Sequence, residues 1–422
     1  MASSPNWREE IYKYQLGGSR RKIPGSVGQL LNDDRILTEL ITNIYDHREE
    51  EINNITVQPL SPGSDITGNL SESVRLRIRV KLNSGQKVGY NWFVKLQPAD
   101  QQNAKLMADL NLFQNEIEFY QKVAPELRNF MELNADNTEG HDVEFDIPEL
   151  IHADIDEEGA IIILEDLVSL GYKQERDENG EKFLSIEKAL LCVASIAKIQ
   201  AASYAMQVKK NTNLGQDHPT LVLAALLWTN EEMMARLQSM KDHYCQILRE
   251  SHHQDSPALC DRFSKAFDSP ENLKELCRLR QAGEDRQEIS CLQHGDFHFN
   301  NLMFREEAGG VTRLKVLDWQ MAYTGRPGGD VAYLLMSSLS PETYEEQEQV
   351  IKRKYFEEFN KTFCSLVQES GQRVEKMLEE GYKKSLPLGF LLSCGNVYNS
   401  EREKAVSFAY LLCNEAAHKN LI

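Results

Sequence analysis

The sequence predicts an α+β chain in which an antiparallel, β-rich part ending near residue 167 precedes a helix-rich part. Two periodicities point to it. Between Asn54 and Leu96 apolar residues recur at every second position, as in Ile55 and Val57 and again in Leu76, Ile78 and Val80, the pattern of half-buried strands. From Ser185 onward the repeat is helical, with Leu190, Val193, Ala197 and Ala201 along one side. At about 100–200 residues per domain, 422 residues allow more than one folding unit.

Residues 1–29 are polar and broken by Gly17-Gly18 and Pro24-Gly25, the composition of a loosely held arm. A helix follows in which Leu37, Leu40, Ile41 and Ile44 share a face. Two strands flank a small-residue connection from Pro62 to Ser73, and a turn at Ser84-Gly85-Gln86 leads to a third strand, Tyr90 to Leu96. The sheet therefore reads as sequential hairpins. Lys105 to Lys122 is helical, with Leu106, Leu110, Phe113, Ile117 and Tyr120 on one face, and the acidic stretch from Leu133 to Asp146 reads as a solvated loop. Gly159 to Leu164 suits a buried strand that runs into Glu165-Asp166-Leu167. Inside the helical part, Ile289 to Gln293 and Leu314 to Leu317 read as short strands flanking charged motifs. The expected division is an arm and helix over 1–50, a β-rich lobe over 51–167 and a helical lobe over 168–422.

A net charge of −18 repels phosphate backbones and anionic lipid heads, so nucleic acid and membranes are poor partners and a small molecule is a better one. The eight cysteines form no CxxC pair and the first 191 residues contain none, which fits a reducing, cytoplasmic setting over a disulfide framework. The first ten residues lack the basic-then-apolar pattern of a secretory signal. Apolar stretches such as Leu221 to Trp228 are shorter than the roughly 18–20 residues that span a bilayer.

The chemistry concentrates in Gln293 to Phe304 and in Val316-Leu317-Asp318-Trp319-Gln320. Asp296 and Asn301 lie five apart on a loop leaving one strand, and Asp318 follows the next strand. Two carboxylates and an amide oxygen can converge there. Phosphoryl transfer needs such a set, because Mg²⁺ takes hard oxygen ligands and bridges nucleotide phosphates while a carboxylate orients the attacking hydroxyl.

This pattern resembles the protein kinase-like superfamily. Asp296 to Asn301 has the spacing of the catalytic loop, and Asp318 stands where the magnesium-binding aspartate stands. The His294-Gly295-Asp296 form with Asp318-Trp319-Gln320, followed by Gly325 to Leu335, is similar to the ecdysteroid kinase-like (CHK kinase-like) family, within the aminoglycoside phosphotransferase and choline kinase group. The likeness covers roughly residues 50–420 and is most specific over 293–335. It implies a two-lobe kinase-like fold that binds ATP and Mg²⁺ between the lobes and phosphorylates a hydroxyl of an ecdysteroid-like or other small alcohol. Asp296 would be the catalytic residue, and Asn301 and Asp318 would hold the metal. Lys95, braced by Glu116, would hold the nucleotide phosphates, and the Glu165 to Leu167 linker would face the base. The phosphate loop keeps only Gly68 and Ser73 of the family's pattern, so cradling falls to Gly68, the loop amides and the Ser71 or Ser73 hydroxyl. His298 and Gln200 also depart from the family's usual Trp and His.

Other readings account for parts of the pattern. His294, Asp296 and His298 would share one face of an extended segment, the donor set of a metal-dependent oxygenase or hydrolase, though this leaves Asn301, Asp318, Lys95 and Glu116 without a role. The eroded glycine loop is also compatible with a nucleotide-binding module that transfers nothing. His294 alone reads as a packing residue, and Asp330 as the N-cap of a following helix.

Overall fold

A computed structural model describes residues 30, 34–45, 51–60, 72–98, 101–134, 144–156, 159–176, 183–221, 231–278, 290–367, 372–398, 402–419 and 421. The expected arm over 1–29 and the phosphate loop with Gly68 and Ser71 lie outside the described residues, as does most of the acidic stretch.

Helix α1 (Asp34–Tyr45) precedes three long strands, β1 (Ile52–Leu60), β2 (Glu72–Leu82) and β3 (Lys87–Leu96). The helical stretch that follows is interrupted. Helix α2 (Gln101–Asp109) stops at Asn111, whose φ of 52° lies in the left-handed region, and α3 (Leu112–Glu118) then passes through a π turn, Phe119–Val123, into α4 (Ala124–Asn134). Sequence periodicity alone merged these pieces into one helix over Lys105 to Lys122. Pro125 offers a reason for the π turn: it lacks an N–H to return to Gln121, and its ring crowds that carbonyl.

Strands β4 (Leu150–Ile155) and β5 (Ala160–Glu165) complete an antiparallel sheet in the order β1-β2-β3-β5-β4. The first three strands pair as the expected sequential hairpins, whereas β5 pairs with β3 and pushes β4, a strand the sequence pattern does not single out, to the edge. One face carries Leu76, Ile78, Trp92, Val94, Ile161 and Ile163 and packs under Leu37, Leu40 and Ile41 of α1. The other face joins the larger core through Phe93, Ile162 and Leu164.

The remainder is mainly helical. Helix α5 (Ile186–Lys210) is followed by α6 (Leu214–Asp217), α7 (Glu231–Glu250), α8 (Ser256–Phe267) and α9 (Pro270–Arg278). By length and composition α5 could cross a membrane, but 72% of its apolar window is buried inside the protein, where it serves as a core helix. Two small antiparallel pairs follow. Strand β6 (Cys291–Gln293) pairs with β9 (Tyr323–Gly325), enclosing the hairpin of β7 (Leu302–Glu306) and β8 (Thr312–Val316). Helices α10 (Gly329–Ser338), α11 (Pro341–Val367), α12 (Gln372–Tyr398) and α13 (Arg402–His418) close the chain. The architecture is thus α+β, with an antiparallel sheet in the N-terminal part and a helical C-terminal part.

Trp92 is fully buried beneath α1. Trp92→Ala is expected to cost about 3–5 kcal/mol in denaturant unfolding. A loss below about 1 kcal/mol would show that α1 does not seal this face.

Candidate functional site

Lys95 on β3 and Glu116 on α3 meet across the N-terminal part, with Lys95 Nζ 2.6 Å from Glu116 Oε2. The same ammonium lies 2.8 Å from Asp318 Oδ1, 223 residues further along the chain. Lys95 is 7% exposed and Glu116 1%. Burial works to lower the Lys95 pKa, but Asp318 and Glu116 outweigh it, and the amine stays protonated. Burial, reinforced by Asp318, pushes Glu116 up to about 7 against the pull of Lys95, as expected when one ammonium serves two carboxylates. Glu118 faces away from this pair, toward Lys122 and His218.

Helix α3 is also fixed to the chain beyond Asp318. Asn115 Nδ2 donates to the carbonyls of Gln320 (2.9 Å) and Ala322 (2.7 Å), and the Phe119 and Trp319 rings stack with centroids 4.0 Å apart. These contacts hold Glu116 in reach of Lys95. Asp318 itself has φ 61°, which turns its carboxylate out of the β8 direction, and Gln320 Nε2 approaches its second oxygen at 3.3 Å.

Between β6 and β7 lies the loop from His294 to Asn301. Asn301 Nδ2 donates to the Asp296 carbonyl (2.8 Å) and to its Oδ2 (3.0 Å), and His298 Nε2 stands 3.5 Å from the same oxygen. Burial raises the Asp296 pKa, but His298, His294 and the Asn301 amide more than offset it and hold the carboxyl well below its ordinary range. The Asn301 backbone carbonyl accepts from Leu317 N at 2.8 Å, which brings the amide-bearing loop beside Asp318. A carboxylate and an amide oxygen at neighbouring positions are the hard donors that Mg²⁺ takes.

His294 cannot serve as a metal ligand in this arrangement. Its Nε2 donates to Leu317 O (2.7 Å) and its Nδ1 accepts from Asp296 N (3.2 Å), so both ring nitrogens are used by the backbone. Burial lowers its pKa and favours the neutral ring that this pattern requires. Among the described residues no group of three or more His, Cys, Asp or Glu is arranged to hold a metal.

Asp330 departs from expectation. The N-cap of α10 is Gly328, at φ 92°, and Asp330 lies within the first turn with its side chain buried against the loop. Its Oδ2 accepts from His294 N (2.8 Å) and its Oδ1 from Gly295 N (3.0 Å). Gln200 Nε2 donates to Oδ2 at 2.9 Å, and Tyr355 OH donates to Gln200 Oε1 at 2.5 Å. The amide at position 200 therefore does structural work under the loop. Asn115 and Asp330 carry no local signal of these roles, because their partners are remote in sequence.

Of the other expected residues, Ser73, Glu165 and Leu167 fall within the described residues. Ser73 is half-buried and directly opposite Lys95 in the β2–β3 register. Glu165 ends β5, but its carboxylate is occupied by Lys315 Nζ and by Glu149 N, each at 3.0 Å. Leu167 is buried with Tyr172 and Met303, beside the half-buried Leu317. Gly68 and Ser71 lie outside the described residues.

Residues 68–368 match the ecdysteroid kinase-like family. Over 59 residues the chain is 41% identical to acyl-CoA dehydrogenase family member 10 of Mus musculus, a match that spans 14% of this chain and 5% of that protein. Similar solved structures include the GDP complexes of wild-type aminoglycoside 2'-phosphotransferase-IIIa and of a point mutant. Each is 13% identical over 92% of this chain at a TM-score of 0.36, covering 100% and 98% of those chains.

Two outcomes follow from these contacts. Gly295 has φ 86°, and a Cβ there would lie 2.1 Å from the Met321 carbonyl oxygen. Gly295→Ala should therefore lose more than the about 1–3 kcal/mol of backbone strain alone, and an unchanged melting temperature would contradict the close approach. His218 joins the chain after α6 to α3 through Glu118 (2.9 Å) and to α4 through Glu126 (3.1 Å). Burial lowers its pKa, but the two carboxylates raise it on balance. Its stabilisation is then full below the unfolded value of about 6.5 and is lost as pH rises through the higher folded value. The gap in unfolding free energy between wild type and His218→Gln should be wider near about pH 6 than near about pH 9; a constant gap would show that the ring is not charged in the folded state.

Proposed function

This chain belongs to the ecdysteroid kinase-like family, and from that premise we propose that it transfers the γ-phosphoryl group of ATP to a hydroxyl of an ecdysteroid-like or other small alcohol. Family membership supports a small-molecule kinase in general. The observation that carries the proposal is the Lys95 ammonium held between Glu116 and Asp318 at 2.6 and 2.8 Å, with Asp296 and Asn301 hydrogen-bonded to each other on the adjoining loop.

In this reading Lys95 binds the nucleotide phosphates and Glu116 keeps it aimed. Asp318 and Asn301 hold Mg²⁺, which when bound neutralises charge on the phosphates. Asp296 faces the acceptor hydroxyl. Its depressed pKa makes it ionised but weakly basic, so it orients the hydroxyl and accepts the proton late, as suits a loose phosphoryl-transfer transition state. Asn301 fixes one carboxylate oxygen, leaving the other to meet the substrate. The His298 ring, 5.4 Å from Tyr333, offers an apolar and partly polar flank beside Asp296 for the acceptor skeleton.

A single turn and β9 separate Asp318 from Gly325, a span too short for a peptide-docking segment, which supports a small molecule over a protein substrate. Seven cysteines of the described residues are free thiols, which supports a cytoplasmic location. The acidic net charge supports neither nucleic acid nor membrane as a partner.

Incubation with labelled ATP, Mg²⁺ and a panel of hydroxylated steroids and amino alcohols should yield a phosphorylated product. Asp318→Ala should reduce transfer by about 10³-fold or more while circular dichroism is unchanged, and chelation of the metal should have the same effect on wild type. Full activity in Asp318→Ala would sink the assignment. Intact nucleotide binding with no product across the panel would instead favour a non-catalytic module.

A further inference from the structure

The register of the sheet places a second cation on the face that carries Lys95. Ser73, Lys95 and Ile162 form one row across β2, β3 and β5, and Arg75, Phe93 and Leu164 form the next. Side chains two positions apart on a strand share a face, so Arg75 projects on the Lys95 side, about 7 Å along the strand from the Ser73 row. The apolar neighbours Leu76, Trp92 and Ile163 project to the opposite face, under α1.

Asp166, immediately after β5, closes this row. Arg75 Nε lies 2.8 Å from Asp166 Oδ1 and Nη2 lies 2.9 Å from Oδ2, and the Ser169 hydroxyl also donates to Oδ2. Arg75 is 9% exposed and Asp166 2%. A two-point contact of this kind fixes the plane of the guanidinium as well as its position. It also removes two charges from water, at a cost that an equally sized apolar pair would avoid. The pair joins the second strand to the end of the fifth on the face that carries Lys95. A nucleotide is longer than the about 7 Å between the two rows, so one held by its phosphates at Lys95 can place its base at Arg75. Asp296, where the acceptor is handled, belongs instead to the loop between β6 and β7.

From this we infer that Arg75, held flat by Asp166, forms the roof of the base subsite and stacks its guanidinium on the purine ring of the nucleotide; the inference rests on the phosphotransferase reading above. A planar cation on an aromatic face is attractive and tolerates different bases, since every base has a π-face. Adenine and guanine nucleotides should therefore both gain from it. Inorganic tripolyphosphate, which has no ring, should not.

Calorimetric titration of the full chain with MgATP, MgGTP and Mg-tripolyphosphate separates these contributions. Arg75→Lys keeps a cation beside buried Asp166 but lacks the flat surface, whereas Arg75→Met removes both. Each variant should bind MgATP and MgGTP about tenfold more weakly, with tripolyphosphate within about twofold of wild type. Unchanged nucleotide affinity in Arg75→Lys would overturn the inference. So would an equal loss for nucleotides and tripolyphosphate, which is the signature of a strut that merely holds the two strands. Wild-type protein that binds neither nucleotide nor tripolyphosphate would overturn the phosphotransferase reading itself, and the base subsite with it.

Discussion

One ammonium group organises the cleft. Lys95 reaches Glu116 on α3 and Asp318 beyond β8, so a single side chain joins a strand, a helix and a distant loop. Buried charges of this kind are tolerated only when each is paired and hydrogen-bonded. The rest of the site follows from meeting that condition: Asn115 and the Phe119–Trp319 stack keep the helix against the Asp318 segment, and the left-handed backbone at Asp318 turns its carboxylate toward the lysine. Loss of either carboxylate would leave the other elements packed but without the charge balance that positions them.

A second buried carboxylate supports the loop opposite. Asp330 accepts the N–H groups of His294 and Gly295 and is itself held by Gln200, so the loop that carries Asp296 is fixed from below by a helix that supplies no reacting group. Gly295 permits this approach, because the Met321 carbonyl occupies the space a Cβ would need. Asp296 and Asn301 then bond to each other across the loop, and the carbonyl of Asn301 ties it to Leu317 beside Asp318. Two rigid supports therefore converge on the same opening from different parts of the chain.

Much of this was legible beforehand for specific reasons. The first three strands are legible because one sheet face is buried under α1 and the alternation is clean; Asp296, Asn301 and Asp318 stand out by their spacing, and Lys95 and Glu116 only through what the family resemblance implies. The interruption of the helix at Asn111 was not legible, since an apolar face persists through the break. The place of β5 was equally hidden: it joins β3 across an intervening helical segment, and nothing local to either strand names its neighbour. Asp330 reads as a cap from its place beside a helix, whereas its partners His294 and Gly295 lie 36 and 35 residues away.

By itself the sequence determined the succession of a β-rich and a helix-rich part, the acidic net charge and the identity of the chemically able side chains, because periodicity and residue type are local properties. Only the tertiary structure decided which of them meet. Lys95 and Asp318 are 223 residues apart, and Arg75 and Asp166 are 91 apart. Such pairings depend on strand register and helix packing, which are settled by the burial of whole faces and by the need to pair every buried charge. Arg75 is one basic residue among several in β2, and only the pairing of β5 with β3 brings Asp166 to it.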